Sequence, residues 1–258
     1  MSKQFSKPFN PIEWPASPHD FTGDNILGLS TNDATQRYVL GTRHIAWDGS
    51  IYKYGKAGTT FTSYQTGVWD EATGAAVSWE ALGAGSAAGS NEVTMTQSSI
   101  TEDQYQGGLL MINHSTGGGS TYTIRGNDAT SGAKTTFYID RPLPKAVTTS
   151  DAVELYANPY STMAQGNSNG SQAFFGLPMA LLTDTYYGWV KTCGPAFVAP
   201  QANVGDAYVG EGVWWRHDGT VDIHSAMEAA PVTSQYAGYV LVGAASGDGP
   251  IIMLQGSF

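Results

Sequence analysis

The 258 residues carry 12 Lys and Arg against 22 Asp and Glu, a formal net charge of −10, and charged residues make up only 13% of the chain. That is about half of the roughly 25% usual for a soluble domain. A charge this sparse and acidic argues against nucleic-acid binding, because neutralising phosphates needs clustered Lys and Arg. A single Cys excludes an internal disulfide, and with no run of 18 apolar residues no membrane-spanning helix is expected. The opening MSKQFSKPFNPIEWP has no continuous apolar stretch, so it does not read as a secretory signal. Aromatic residues reach 12%, enough apolar mass to build a core. With so few charges the surface must be Ser, Thr, Asn, Gln, Gly and Tyr. That cover suits an all-β protein that assembles, because interfaces deplete Lys, Glu and Asp. A monomeric β-domain with a neutral polar surface is the alternative.

Residues 1–36 read as an extended N-terminal arm. Pro8, Pro11, Pro15 and Pro18 recur every three or four residues, with Phe5, Phe9, Ile12, Trp14 and Phe21 among them. Proline at that spacing excludes helix and sheet interiors. An extended apolar arm lies either on a partner or neighbouring subunit, or on its own domain. From Tyr38 short strands alternate with turns. Tyr38–Trp47 and Ser50–Lys56 flank Asp48-Gly49, which predicts a hairpin with a type I′ turn. Further strands are predicted over Val93–Thr96, Gly108–Asn113, Ser120–Gly126, Thr135–Ile139 and Ala152–Tyr156. Gly83–Gly89 reads as a flexible connection. Thr101–Gly107 is the best helical candidate, two turns at most, with an acceptor and acids at its start.

After the polar loop around 157–172, strands are predicted over Phe174–Leu182, Tyr186–Thr192, Ala196–Ala199, Gly205–Gly210, Gly212–Trp215, Thr220–His224, Tyr239–Ala244 and Ile251–Leu254. Short strands spaced about ten residues apart predict an all-β chain of short-stranded β-sandwich or barrel units. The predicted organisation is the arm 1–36, a β-rich domain 37–160, and a C-terminal barrel or sandwich 161–258. WDGSIY at 47–52 and HDGTVD at 217–222 echo each other faintly and read as two independent turns.

Motifs with chemical potential fail on context. Gly166-Asn-Ser168-Asn-Gly170 matches a serine nucleophile elbow, but no strand–turn–helix surrounds it. Asp222 and His224 would share a strand face, yet two ligands do not make a metal site, and a water-facing hairpin turning at Asp218-Gly219 is the better explanation. Thr116–Ser120 is Gly-rich without the following Lys and helix of a phosphate loop. Asp70, Glu71, Glu80, Glu92, Glu211 and Asp222 could supply a glycosidase pair, which leaves no spacing rule. Trp189, Trp214 and Trp215 could stack sugars, or be core or interface residues. No catalytic, cofactor-binding or metal-binding residue is therefore assigned. The interface candidates are Phe5, Phe9, Ile12, Trp14, Phe21, Trp189, Trp214 and Trp215.

Four stretches carry a family resemblance. They are Gln36-Arg37-Tyr38-Val39-Leu40-Gly41-Thr42-Arg43 with Tyr52-Lys53-Tyr54-Gly55-Lys56-Ala57-Gly58; Thr101-Glu102-Asp103-Gln104-Tyr105-Gln106-Gly107-Gly108 leading to Tyr122-Thr123-Ile124; Leu155-Tyr156-Ala157-Asn158-Pro159-Tyr160; and Tyr186-Tyr187-Gly188-Trp189-Val190-Lys191-Thr192-Cys193-Gly194-Pro195-Ala196 with Gly238-Tyr239-Val240-Leu241. In these the chain resembles tailed-bacteriophage virion proteins of the head-decoration (capsid cement) type. The resemblance implies a mostly β, non-enzymatic structural protein on the outer surface of the capsid, a homotrimer contacting the major capsid protein. It implies no cofactor, nucleic acid or membrane. Its residues are turn glycines, prolines and packing aromatics, so no catalytic role carries over. Tail, baseplate or fibre protein and carbohydrate-binding β-module are the alternative readings. If subunits cover much of the surface, the remaining negative charge is expected on the exposed outer face.

Overall fold

A computed structural model describes residues 28–46, 48–70, 77–115, 117–165, 173–200, 204–205, 210–223, 232–243 and 249–256. No helix occurs among them, and every paired strand is antiparallel to its neighbour, in an all-β fold of two curled sheets. The chain divides into two units. One, here the inserted unit, comprises 77–159 of the described residues. The other, the flanking unit, is built from the chain on either side of it.

The inserted unit contains β4 (Val77–Ala81), β5 (Glu92–Thr96), β6 (Leu109–Asn113), β7 (Gly119–Asn127), β8 (Lys134–Ile139) and β9 (Ala152–Tyr156). They form a six-stranded sheet in the order β4-β9-β6-β7-β8-β5. A bridge between Leu82 and Met95 joins the two ends of that order, so the sheet curls on itself. Its concave side is the core. Val93 and Met95, Leu110 and Ile112, Tyr122 and Ile124, Phe137 and Ile139, Val153 and Leu155 are alternate residues of five strands, and all are buried there. Period-two alternation puts one side of each strand inside, and each such side chain contributes about 1.5–3 kcal/mol on burial.

Two expectations change in this unit. Thr101–Gly107 is a run of tight turns, not a helix. Buried Asn127 reaches into it: its Oδ1 accepts from Tyr105 N–H at 2.9 Å, and its Nδ2 donates to Thr101 O at 2.8 Å. Asp103 is left-handed at φ 57, which breaks helical propagation. Gly83–Gly89 is tied down: Gly83 N–H donates to Thr94 O, Ser86 exchanges backbone bonds with Val147, and Gly89 N–H donates to Leu143 O.

The flanking unit contains β1 (Arg43–Ile45), β2 (Ile51–Lys56), β3 (Val68–Asp70), β10 (Met163–Gln165), β11 (Phe174–Pro178), β12 (Tyr187–Phe197), β13 (Gly212–Arg216), β14 (Val221–Ile223), β15 (Val232–Val242) and β16 (Ile251–Gln255). The order is β10-β3-β11-β12-β16-β15-β13-β14, with the β1–β2 hairpin also joined to β12. The strands predicted separately over 186–192 and 196–199 are the single strand β12. Its first half pairs with β2, and its second half, Cys193–Phe197, pairs with β16. The range 37–160 thus spans two units, because β2 and β3 hydrogen-bond to strands after residue 160. Asp70 and Met163 are direct partners across β3 and β10, and Thr162 Oγ1 donates to Asp70 Oδ1 at 3.0 Å. The chain therefore leaves for the inserted unit and returns from it at adjacent points of one sheet.

Both Asp-Gly hairpins adopt one geometry, and it is not type I′. Gly49 N–H donates to Ala46 O and Ala46 N–H to Ser50 O; Gly219 N–H donates to Arg216 O and Arg216 N–H to Thr220 O. Only the Gly of each Asp-Gly pair is left-handed, at φ 82 and φ 80. This is a three-residue loop closing on a left-handed Gly. Asp48 Oδ1 accepts from Ser50 N–H at 2.9 Å, and Asp218 Oδ1 accepts from Thr220 N–H at 3.0 Å. The carboxylate forms an Asx-turn and holds the Asp in a right-handed conformation. The sequence echo is thus a structural echo of turn chemistry.

Of the arm, residues 28–36 lie on the chain's own flanking unit. Asp33 exchanges backbone bonds with Tyr187 at 3.0 and 2.8 Å, and Asn32 Nδ2 donates to Leu181 O at 2.8 Å. Phe5, Phe9, Ile12, Trp14 and Phe21 lie outside the described residues.

Candidate functional site: an uncharged sheet face

The three tryptophan candidates occupy different places. Trp189 is buried against Tyr52 and Tyr54, with ring centroids 5.3 Å from Tyr54. Trp215 is buried in the main core of the flanking unit, stacked on Phe174 at 5.4 Å. Neither ring is open to stack a sugar. Trp214, the next residue along β13 from Trp215, points the opposite way. It is half-exposed and meets Tyr236 of β15.

Around Trp214 the outer side of the sheet is apolar. Ile252 and Leu254 of β16 turn into the core, so Ile251 and Met253 turn out. Cross-strand partners share a face, which extends two rows across the sheet. Phe197, Ile251 and Val242 form one row over β12, β16 and β15. Pro195, Met253 and Tyr239 form the next. Tyr236 and Trp214 continue the surface onto β13. Val242 is 54% exposed and Phe197, Ile251 and Tyr236 about 40%. No acid or base stands in these rows. Three inter-strand spacings of about 4.8 Å and six residues at about 3.3 Å give roughly 300 Å². A patch of that size on a monomer is often functional.

The cations on these strands are already engaged. Lys191 Nζ donates to Pro195 O and stands 5.7 Å over the Tyr52 ring. Burial pushes its ammonium below the ordinary lysine range, with Asp48 opposing the shift. Arg216 Nη1 donates to buried Asp222 Oδ2 at 2.8 Å. Asp222 also accepts from Ile223 N–H at 2.9 Å, so it is committed to structure. Its proposed companion His224 lies outside the described residues, as do Glu71 and the Gly166–Gly170 motif. No group of three or more His, Cys, Asp and Glu among the described residues is placed to hold a metal ion. No helix among them is long and apolar enough to cross a membrane. Cys193 is a half-buried free thiol.

Sequence reasoning missed the most exposed large apolar side chain among the described residues, Trp79 of β4, at 67%. It sits at a β-bulge in the inserted unit with φ 58. No Gly, Asn or Asp marks that position, so the sequence carries no turn signal for it. Comparison with known proteins returned no match: no family model, no curated protein and no solved structure resembles the chain.

Proposed function

We propose that the chain is a non-enzymatic virion structural protein, a capsid decoration protein that binds the outer surface of a tailed-phage head and stabilises its shell. The observation that carries this reading is the uncharged face over β12, β16, β15 and β13. It joins the family resemblance of the sequence in pointing to subunit contact. A face of roughly 300 Å² supplies roughly 7 kcal/mol of apolar burial before ordering costs. It falls well short of the roughly 800 Å² per partner of a standard interface. The remainder is assigned to the Pro-spaced arm with Phe5, Phe9, Ile12 and Trp14, and to trimer contacts. A ligand that binds the assembled shell and not its parts stabilises the shell by mass action.

The test is occupancy on stripped heads of the parent phage, followed by particle heat resistance. Wild-type protein should bind the shell and raise the disassembly temperature. Ile251→Lys and removal of residues 1–20 should each lower occupancy while the protein stays folded. Full occupancy by both variants rejects this surface and arm. Labelling confined to the tail of intact virions replaces the reading with a tail or baseplate component.

A further inference from the structure

We infer that the outer face of the inserted unit, centred on Trp79 and Glu154, is a binding site for neutral pyranose sugars. The inference goes beyond the capsid reading and does not rest on it. In the β4–β9 ladder Val77 pairs with Leu155 and Glu80 with Val153, so the bulge sets Trp79 opposite Glu154. Leu155 and Val153 turn into the core, and Glu154 therefore lies on the outer side with Trp79. On that side Met111 partners Glu154, and Leu109 partners Tyr156.

The Glu154 carboxylate is held from two directions. Tyr156 O–H donates to Oε2 at 2.8 Å, and Asn113 Nδ2 donates to Oε1 at 3.4 Å. Two donors leave about half of a carboxylate's acceptor sites open. The carboxylate is thus a fixed acceptor with spare capacity, and no Lys or Arg is bonded to it among the described residues.

Trp79 is the other half of the site. A bulky residue at positive φ is a genuine outlier, and such strain gathers at ligand clamps. At the bulge Trp79 is 67% exposed, and no described ring packs on it. An aromatic face beside an anchored acceptor matches a sugar ring, whose C–H face stacks while its hydroxyls donate to the carboxylate. A flat apolar protein surface would bury Glu154 with its remaining acceptor sites unmet, at a cost. An acidic sugar would be repelled by Glu154 and by the net charge of −10. The occupant is therefore a neutral pyranoside with adjacent hydroxyls.

The test titrates the full chain with methyl glycosides of glucose, galactose, mannose and N-acetylglucosamine, and with dextran, galactan and β-glucan. Tryptophan fluorescence and calorimetry are the readouts. At least one probe should bind saturably. Trp79→Gly should lose at least about tenfold in affinity and, because it relieves the positive φ, should unfold at a higher temperature than wild type. Glu154→Gln should weaken binding, whereas Trp214→Ala should leave it unchanged. No saturable response to any probe, or an equal response in Trp79→Gly, overturns the inference. Because no phage particle is involved, the outcome is independent of the capsid experiment.

Discussion

The rings of Trp214 and Tyr236 meet edge to face across β13 and β15, centroids 5.3 Å apart at 73°, on the open side of a sheet whose closed side holds Trp215. One residue of sequence thus separates a core tryptophan from a surface one. Removing Trp215 deletes a buried ring stacked on Phe174. Trp215→Ala should cost about 3–5 kcal/mol or prevent folding. Trp214→Ala loses a half-exposed ring and one aromatic pair, about 1 kcal/mol. Urea midpoints of the two variants check this, and equal losses would refute the assignment of faces.

Acid sensitivity is built into the inserted unit at Asp151. Its carboxylate accepts from Thr148 N–H at 2.8 Å and Ser115 N–H at 2.7 Å, with His114 Nδ1 3.7 Å away. The two backbone bonds, chiefly, hold its pKa at about 2, down from 3.8. A carboxyl depressed in the folded state stabilises the fold above its unfolded pKa, and that contribution is lost as pH falls through the folded value. The window is therefore about pH 4 down to about pH 2. Asp151→Asn should be less stable than wild type at pH 7 and lose the gap by pH 2. Urea unfolding across this range measures it; a gap that persists unchanged at pH 2 rules it out.

What could be read from the sequence was what a strand carries within itself. β5 to β9 alternate buried and open side chains, as in Glu92-Val93-Thr94-Met95-Thr96, so each was legible within a residue or two. β3, β4 and β10 were not. Val68-Trp69-Asp70 becomes a strand because Met163 and Phe174, some hundred residues away, supply its partners. The insertion was hidden for the same reason: β2 pairs with β12 across about 130 residues, and no local period records that. Trp214 and Trp215 are adjacent on β13 and so face opposite ways, but which way is inward depends on the curl of the sheet, which no local period records. Trp79 was illegible because its left-handed backbone is imposed by a bulge against β9, with none of the residues that ordinarily mark one.

Backbone crowding makes a sharper test of β15. Gly238 has φ 151, and an added Cβ would stand 2.0 Å from Met253 O on β16. That carbonyl belongs to the sheet ladder and cannot move aside without breaking pairing. Gly238→Ala should destabilise the flanking unit by about 3 kcal/mol or more, combining strain and overlap. Thermal unfolding within a degree or two of wild type would contradict the register of β15 on β16.

The two units should also separate cleanly. The fragment Ala72–Pro159 is continuous in sequence and carries its own core, from Leu82 and Val93 to Val153 and Leu155. It should fold alone and unfold in one cooperative step, as small domains of this size do. The reciprocal deletion is the more demanding case. Replacing residues 72–159 by six Gly-Ser residues bridges about 13 Å on average. Asp70 and Met163 are already paired across β3 and β10, so the two ends stand a few residues apart and the linker need only form a turn. The shortened chain should keep the near-ultraviolet signal of Trp189 and Trp215, because their partners Tyr54 and Phe174 are all retained. If the capsid and sugar readings are both correct, the shortened chain should still occupy stripped heads, while the Ala72–Pro159 fragment alone should retain the glycoside response. A fragment without a cooperative transition, or a shortened chain without tryptophan ellipticity, would show that the units depend on each other for folding.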